Sequence, residues 1–227
     1  MLAFLVRAIA DLRAPALRRV VVLGLAIAAG CFALLWLGLG WLLHARLLSD
    51  WTVVNWVVQL LGAAAVLGLS WLLFPGLATL VMGLFLDRVA AEVERLDYPG
   101  SPPARRQSLR EIIGAGLRLG GLTLLLNLLA LPLYLMVPGL NFFVFLGLNG
   151  YLFGRGYFEV AALRRLDINA TRAVRRRFAL RVFAGGVLIA GLFAVPLVNL
   201  AAPVIATAYM VHLFESLPPF EPQPLLV

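Results

Sequence analysis

Apolar positions in this chain gather into long unbroken runs. Four stretches carry no Asp, Glu, Lys or Arg: Val20–Leu43, Trp51–Leu86, Leu119–Gly154 and Val182–Phe214. Each exceeds the roughly 20 residues that an α-helix needs to cross about 30 Å of hydrocarbon. Lipid forces every backbone polar group to find an internal partner, so runs of this kind predict helices. The expected class is an all-α membrane protein, one domain over residues 1–216 with a Pro-rich, unstructured tail over 217–227.

The segments between the runs add detail. Met1–Ala14 has the pattern of an amphipathic helix, with Leu2, Leu5, Ile9 and Leu12 on one face, suited to the membrane interface. Pro15 then fits the first turn of a transmembrane helix running through Leu43. A brief loop, His44–Asp50, follows, and Trp36, Trp41, Trp51 and Trp56 around it have the placing of an interfacial belt. The second run is too long for the bilayer alone. It predicts one helix, kinked at Pro75, that leaves the membrane and continues to Leu96. Val89 and Val93 would share a face there, with Arg88 and Glu92 paired at i, i+4. Tyr98–Pro103 reads as a linker, and Leu166–Leu180 as a basic amphipathic helix.

Charge then orients the chain. All nineteen cationic side chains are Arg: four precede Val20, one lies in His44–Asp50, six in Asp87–Arg118 and eight in Arg155–Arg181. With the first two runs as single crossings, eighteen of them fall on one side, which places the N-terminus in the cytoplasm. The third run has Arg-rich flanks at both ends, so it must leave on the side where it enters. Its 36 residues give arms of about 27 Å at most at 1.5 Å per residue. Pro132, Pro138 and Gly139 mark the turn, and a half-penetrating, re-entrant hairpin is expected. The fourth run, with Pro196, Asn199 and Pro203 at its centre, predicts a second one.

Composition supports this and narrows the chemistry. At 63% hydrophobic and 13% charged residues, the chain is far too apolar for a soluble domain of its length. The net charge of +8 lies between apolar runs, not on a basic soluble face, which argues against nucleic acid as a partner. Cys31 is the single cysteine, so no intramolecular disulfide is available. Ala28-Ala29-Gly30-Cys31 has a faint likeness to a lipoprotein cleavage box, but the apolar run continues to Leu43 and predicts a retained helix. His44 and His212 have no nearby carboxylate or cysteine cluster at ligand spacing. No glycine-rich phosphate loop is present. Neither a metal, a cofactor nor enzymatic activity is expected.

Several blocks, in order from about residue 3 to 215, resemble one family, the CysZ/etoposide-induced-protein membrane family. They are Pro15-Ala16-Leu17-Arg18-Arg19, Phe85–Glu94, Gly154-Arg155-Gly156-Tyr157-Phe158-Glu159 and Pro196-Leu197-Val198-Asn199-Leu200-Ala201-Ala202-Pro203. The resemblance implies two long transmembrane helices plus two half-penetrating hairpins, assembled as an oligomer in a bacterial inner membrane. It also implies sulfate entry for cysteine synthesis, and an anion site on the Leu17 backbone, Arg18 and Arg19, where Ala16 replaces the family's Gly.

The residues permit that chemistry without requiring it. A helix start offers free N–H groups and Arg offers a planar fork of donors, a suitable pair for an oxyanion; positive-inside anchoring would use the same residues. Arg110, Glu111 and the second Gly116-Leu117-Arg118 could line a permeation path or snorkel at the interface. Asn127, Asn141, Asn149 and Asn199 could line a pore or join helices. Two functions stay open: permeation of sulfate or a related oxyanion, and a non-transporting membrane scaffold or assembly protein. Membrane lipid is an expected partner in either case.

Overall fold

The runs and their flanks fold into helices in the computed structural model, which describes residues 1–46, 81–136 and 138–218. Among these the helices are α1 (Leu2–Asp11), α2 (Pro15–Arg46), α3 (Leu86–Asp97), α4 (Leu109–Met136), α5 (Asn141–Ala162), α6 (Ile168–Arg177), α7 (Ala179–Ala194), α8 (Pro196–Asn199) and α9 (Ala202–Glu215), with no strand. A 3-10 turn, Pro138–Leu140, joins α4 to α5. Pro15–Gly38 and Leu109–Met136 are long and apolar enough to cross a membrane. Most of the second run, with Trp51, Trp56 and Pro75, and residues 219–227 of the tail lie outside the described residues.

The centre of the molecule is α9. Every residue from Ala202 to Leu213 is buried, enclosed by α1, α3, α5 and α7. A helix that is apolar all round belongs in a core or in lipid, and at 14 residues α9 is about 21 Å long. That is too short to span, so it packs inside protein. Pro203 stands in its first turn, where its missing N–H costs nothing.

The partner arm α7 packs on α5 through glycines. A Cβ on Gly186 would collide with the Gly150 carbonyl oxygen, and one on Gly154 would come within 2.6 Å of the Val182 carbonyl oxygen. Only bare backbone permits helices this close. Phe153 and Phe193 stack beside this contact at 4.6 Å between ring centroids.

The first hairpin differs from expectation in length. It does not begin at the last charge: α4 and α5 hold 28 and 22 residues, about 42 and 33 Å. Pro132 stays inside α4, and the turn is made at Pro138–Leu140. Length alone therefore does not confine this hairpin to half the bilayer, because its helices continue past the Arg residues that ended the uncharged run. The second hairpin does have short arms, 16 and 14 residues.

Smaller departures have local causes. The predicted loop at His44 starts later, since α2 continues to Arg46. The expected unbroken helix through Leu96 is interrupted by a turn at Leu84–Phe85 before α3; α3 does bury Val89 and Val93 together. Glu92 pairs with Arg95 at 2.6 Å, whereas Arg88 lies over the Phe85 ring. The single apolar face expected for α1 is divided. Phe4, Leu5, Ala8 and Leu12 pack on the core, while Leu2, Val6 and Ile9 are exposed. The basic helix is α6, and it meets α7 at 89°. Leu217, placed by sequence in the tail, is buried in the core.

Candidate functional site

The start of α2 is built as the sequence suggests. The Ala14 carbonyl accepts from Arg18 N–H at 3.0 Å, Pro15 has no N–H, and the N–H groups of Ala16 and Leu17 bond to nothing among the described residues. Leu17 anchors the turn with a fully buried side chain. Arg18 and Arg19 are exposed and make no ion pair among the described residues. No described non-glycine residue has positive φ, so Ala16 is under none of the strain that its replacement of glycine could bring.

A second polar region gathers at the Arg-rich ends of the helices. Arg164, 6% exposed, lies just beyond α5. It grips the Glu94 carboxylate of α3 with Nε and Nη2, each at 3.0 Å, and Nη1 donates to Asp87 Oδ1. Burial acts to lower the Arg164 guanidinium, but Glu94 and Asp87 outweigh it and hold it above its ordinary value. The Arg164 carbonyl accepts from Arg105 N–H at 2.7 Å, tying the linker to the same point. Sequence reading counted Arg164 and Arg105 only for topology, because a buried guanidinium has no signature distinct from an anchoring one.

Beside this network lies a cavity of about 800 Å³ between α3, the linker, α4 and α5. Its polar lining comprises Asp87, Arg105, Arg106, Gln107, Glu159 and Arg164, and Gly116 contributes open backbone. The expected path residues separate around it. Glu111 pairs with Arg105 at 2.8 Å, not with Arg110 or Arg118. Leu117 points outward, 71% exposed, and Arg110 is exposed. Arg118 faces a neighbouring cleft with Arg155, Glu159, Thr171 and Arg172. Leu17, Arg18 and Arg19 line neither space.

The hairpin tips carry few polar contacts. Asn199 closes α8 with a buried Oδ1 that has no partner, and Asn141 Oδ1, just after Gly139 and Leu140, is likewise unpartnered. Asn127 and Asn149 donate to their own helices, to the Thr123 and Phe145 carbonyls, and so do not join helices.

The fold corrects the reading of His212. Glu215, the carboxylate near it in sequence, pairs with Arg165 and Ser101 instead, whereas Asp11 Oδ2 lies 2.8 Å from its Nε2 and Asp97 Oδ2 3.7 Å away, and Tyr98 Oη meets Nδ1 at 2.9 Å. His212 is fully buried. Burial pushes the Tyr98 phenol above its usual range, with Arg7 pulling the other way. These three ligand-type groups are close enough to share a cation, but the 2.8 Å contact is that of a hydrogen-bonded chain. Its plain effect is to fasten α1 and the end of α3 to α9.

The polar ends of α1, α3, α5 and α9 and the linker thus converge at one pole, through contacts separated by up to 201 residues in sequence. No curated protein gives a match to this chain. A family profile does: that described as sulfate transporter CysZ/etoposide-induced protein 2.4 matches residues 4–203. With nearly the whole chain covered, in an all-helical fold with two helices of membrane-spanning length, the protein belongs to the sulfate transporter CysZ/etoposide-induced protein 2.4 family.

Proposed function

We propose that this protein forms a path for sulfate or a related oxyanion across a bacterial inner membrane, as a homo-oligomer that serves sulfur assimilation. The observation that carries the reading is the family match over residues 4–203. The exposed Arg18–Arg19 pair at a helix start with free N–H groups supplies a chemically suitable first contact for a dianion. The cavity lined by Arg105, Arg106 and Arg164 is a separate space with a basic lining. Exposed leucines along α4 supply a surface for lipid or a second copy.

The Arg-rich pole faces the cytoplasm in this reading, by the positive-inside rule. The second hairpin is re-entrant, since its arms fall short of about 30 Å. The first has arms of spanning length. Labelling a cysteine at Gly139 from the periplasm separates a crossing from a half-penetrating turn.

Radiolabelled sulfate flux into proteoliposomes tests the function. Saturable uptake is expected, reduced at least tenfold in Arg18→Ala/Arg19→Ala. Uptake no greater than that of protein-free vesicles would overturn the reading and favour a scaffold sharing the fold.

A further inference from the structure

Three threonines of the described helices make an informative contrast. Thr123 and Thr207 donate to the carbonyl four residues back, each at 2.8 Å, the usual way a helical threonine satisfies its hydroxyl. Thr171 does not. Its residue is 2% exposed and its Oγ1 bonds to nothing among the described residues, although the Asp167 carbonyl at i−4 is present and takes its backbone N–H at 2.9 Å. A buried hydroxyl without a partner is destabilising, so the group it faces matters.

Thr171 faces the cleft between α4, α5 and α6. The charged lining there is Arg118, Arg155, Arg172 and Glu159, three positive groups against one negative. Glu159 is already engaged, 3.0 Å from Arg155 and 3.8 Å from Arg175. Arg118 and Arg172 make no ion pair among the described residues. The cleft therefore holds a surplus of two positive charges around an unused hydroxyl donor. Its closed volume is about 20 Å³, space for about one water. Arg118 and Arg172 are both exposed, so their side chains can swing outward and enlarge it. It adjoins the 800 Å³ cavity, with Ala115, Glu159 and Leu163 common to both.

We propose that this cleft binds a tetrahedral oxyanion group, with Thr171 Oγ1 donating to one oxygen and Arg118 and Arg172 closing over the others. Guanidinium forks match such oxygens in geometry and charge. The occupant is free sulfate or phosphate, or the phosphate of an anionic lipid headgroup. The site stands on its own residues, apart from the Arg18–Arg19 helix start, and does not depend on whether the anion crosses the membrane.

Binding to the purified full chain is the test, made in an Arg18→Ala/Arg19→Ala background so that the helix-start site contributes nothing. One arm titrates sodium sulfate by calorimetry in neutral detergent. The other follows retention of phosphatidylglycerol against phosphatidylcholine by native mass spectrometry. Thr171→Val keeps the shape and removes the donor, Thr171→Ser keeps the donor, and Arg176→Gln is a basic control on the same helix outside the cleft. At least a tenfold weakening is expected in one arm for Thr171→Val and for Arg172→Gln, with Thr171→Ser and Arg176→Gln within twofold of the parent. An effect in the calorimetric arm assigns a free oxyanion and one in the lipid arm a headgroup. If Thr171→Val, shown folded by an unchanged circular dichroism spectrum, equals the parent in both arms, the cleft holds only water and the proposal is wrong.

Discussion

Helices α4 and α9 are both predominantly apolar, yet their surroundings are opposite. In α4 only Ala130 is buried, and leucines such as Leu117, Leu124 and Leu135 are more than 70% exposed. In α9 twelve consecutive residues are buried. Hydropathy alone does not distinguish lipid-facing from protein-facing helices, since hydrocarbon and a protein core are equally apolar solvents. Length and side-chain size do. The 28 residues of α4 reach across a bilayer, and its large leucines suit lipid. The 14 residues of α9 do not reach, and Ala202, Ala206 and Ala208 let four neighbours close around it.

That contrast can be broken by substitution. The largest loss is expected at the tie between the core helices: Arg164→Ala takes the two-pronged partner from buried Glu94 and the ion pair from Asp87, leaving Glu94 only Arg165 at 3.2 Å, at a cost of about 4 kcal/mol, measured as stability to denaturant in mixed micelles. Close behind is Gly186→Ala, which forces α7 off α5 and costs about 3 kcal/mol by overpacking; a thermal melt reports it. Met210→Ala inside α9 opens a cavity and also costs about 3 kcal/mol, whereas Leu128→Ala on α4 stays within about 0.5 kcal/mol. Equal losses at those two positions in detergent-solubilised monomer would mean that α4 is covered by protein. The smallest expected effect concerns the polar pole. Tyr98→Phe removes one partner of His212 for about 1 kcal/mol. Because burial raises the Tyr98 phenol, the wild type keeps this contribution below the ordinary tyrosine value and loses it as pH rises through the raised one. Tyr98→Phe should lack that alkaline loss, visible in a pH series of melts.

Sequence made some of the candidate sites legible and hid others for definite reasons. The helix start at Leu17, Arg18 and Arg19 is readable because it is local: Pro15 and the residues after it fix which N–H groups are free, whereas a role toward an anion is implied only by the family resemblance. Val89 and Val93 were readable for the same reason, by helical spacing. The pairing of Glu111 with Arg105 is not legible, since Arg105 lies in a linker with no periodicity to place it. Arg164, Thr171 and His212 were not readable as network residues. The groups that meet them across the fold are, in turn, Glu94, the Arg118 and Arg155 side of the cleft, and Asp11, and none is within helical reach in the chain. The first hairpin is longer than its uncharged run implies because charged residues do not end a helix: α4 begins at Leu109 and carries Arg110, Glu111 and Arg118 within its first three turns.

By itself the sequence determined that this is a helical membrane protein, that its arginines gather between the apolar runs, that a helix starts at Pro15, that the fourth run turns near Pro196 and Pro203, and which family it resembles. These are properties of composition, run length and local backbone geometry, and they do not depend on what packs against what. Only the tertiary structure decided that α9 is the core and α4 the surface, that Gly150, Gly154 and Gly186 bring α5 and α7 into contact, and that Arg164 and His212 tie the pole together. The physical reason is that apolar burial has no direction and ion pairs no sequence range. Which apolar face meets protein, and which charge meets its opposite, is fixed only when distant segments compete for the same space.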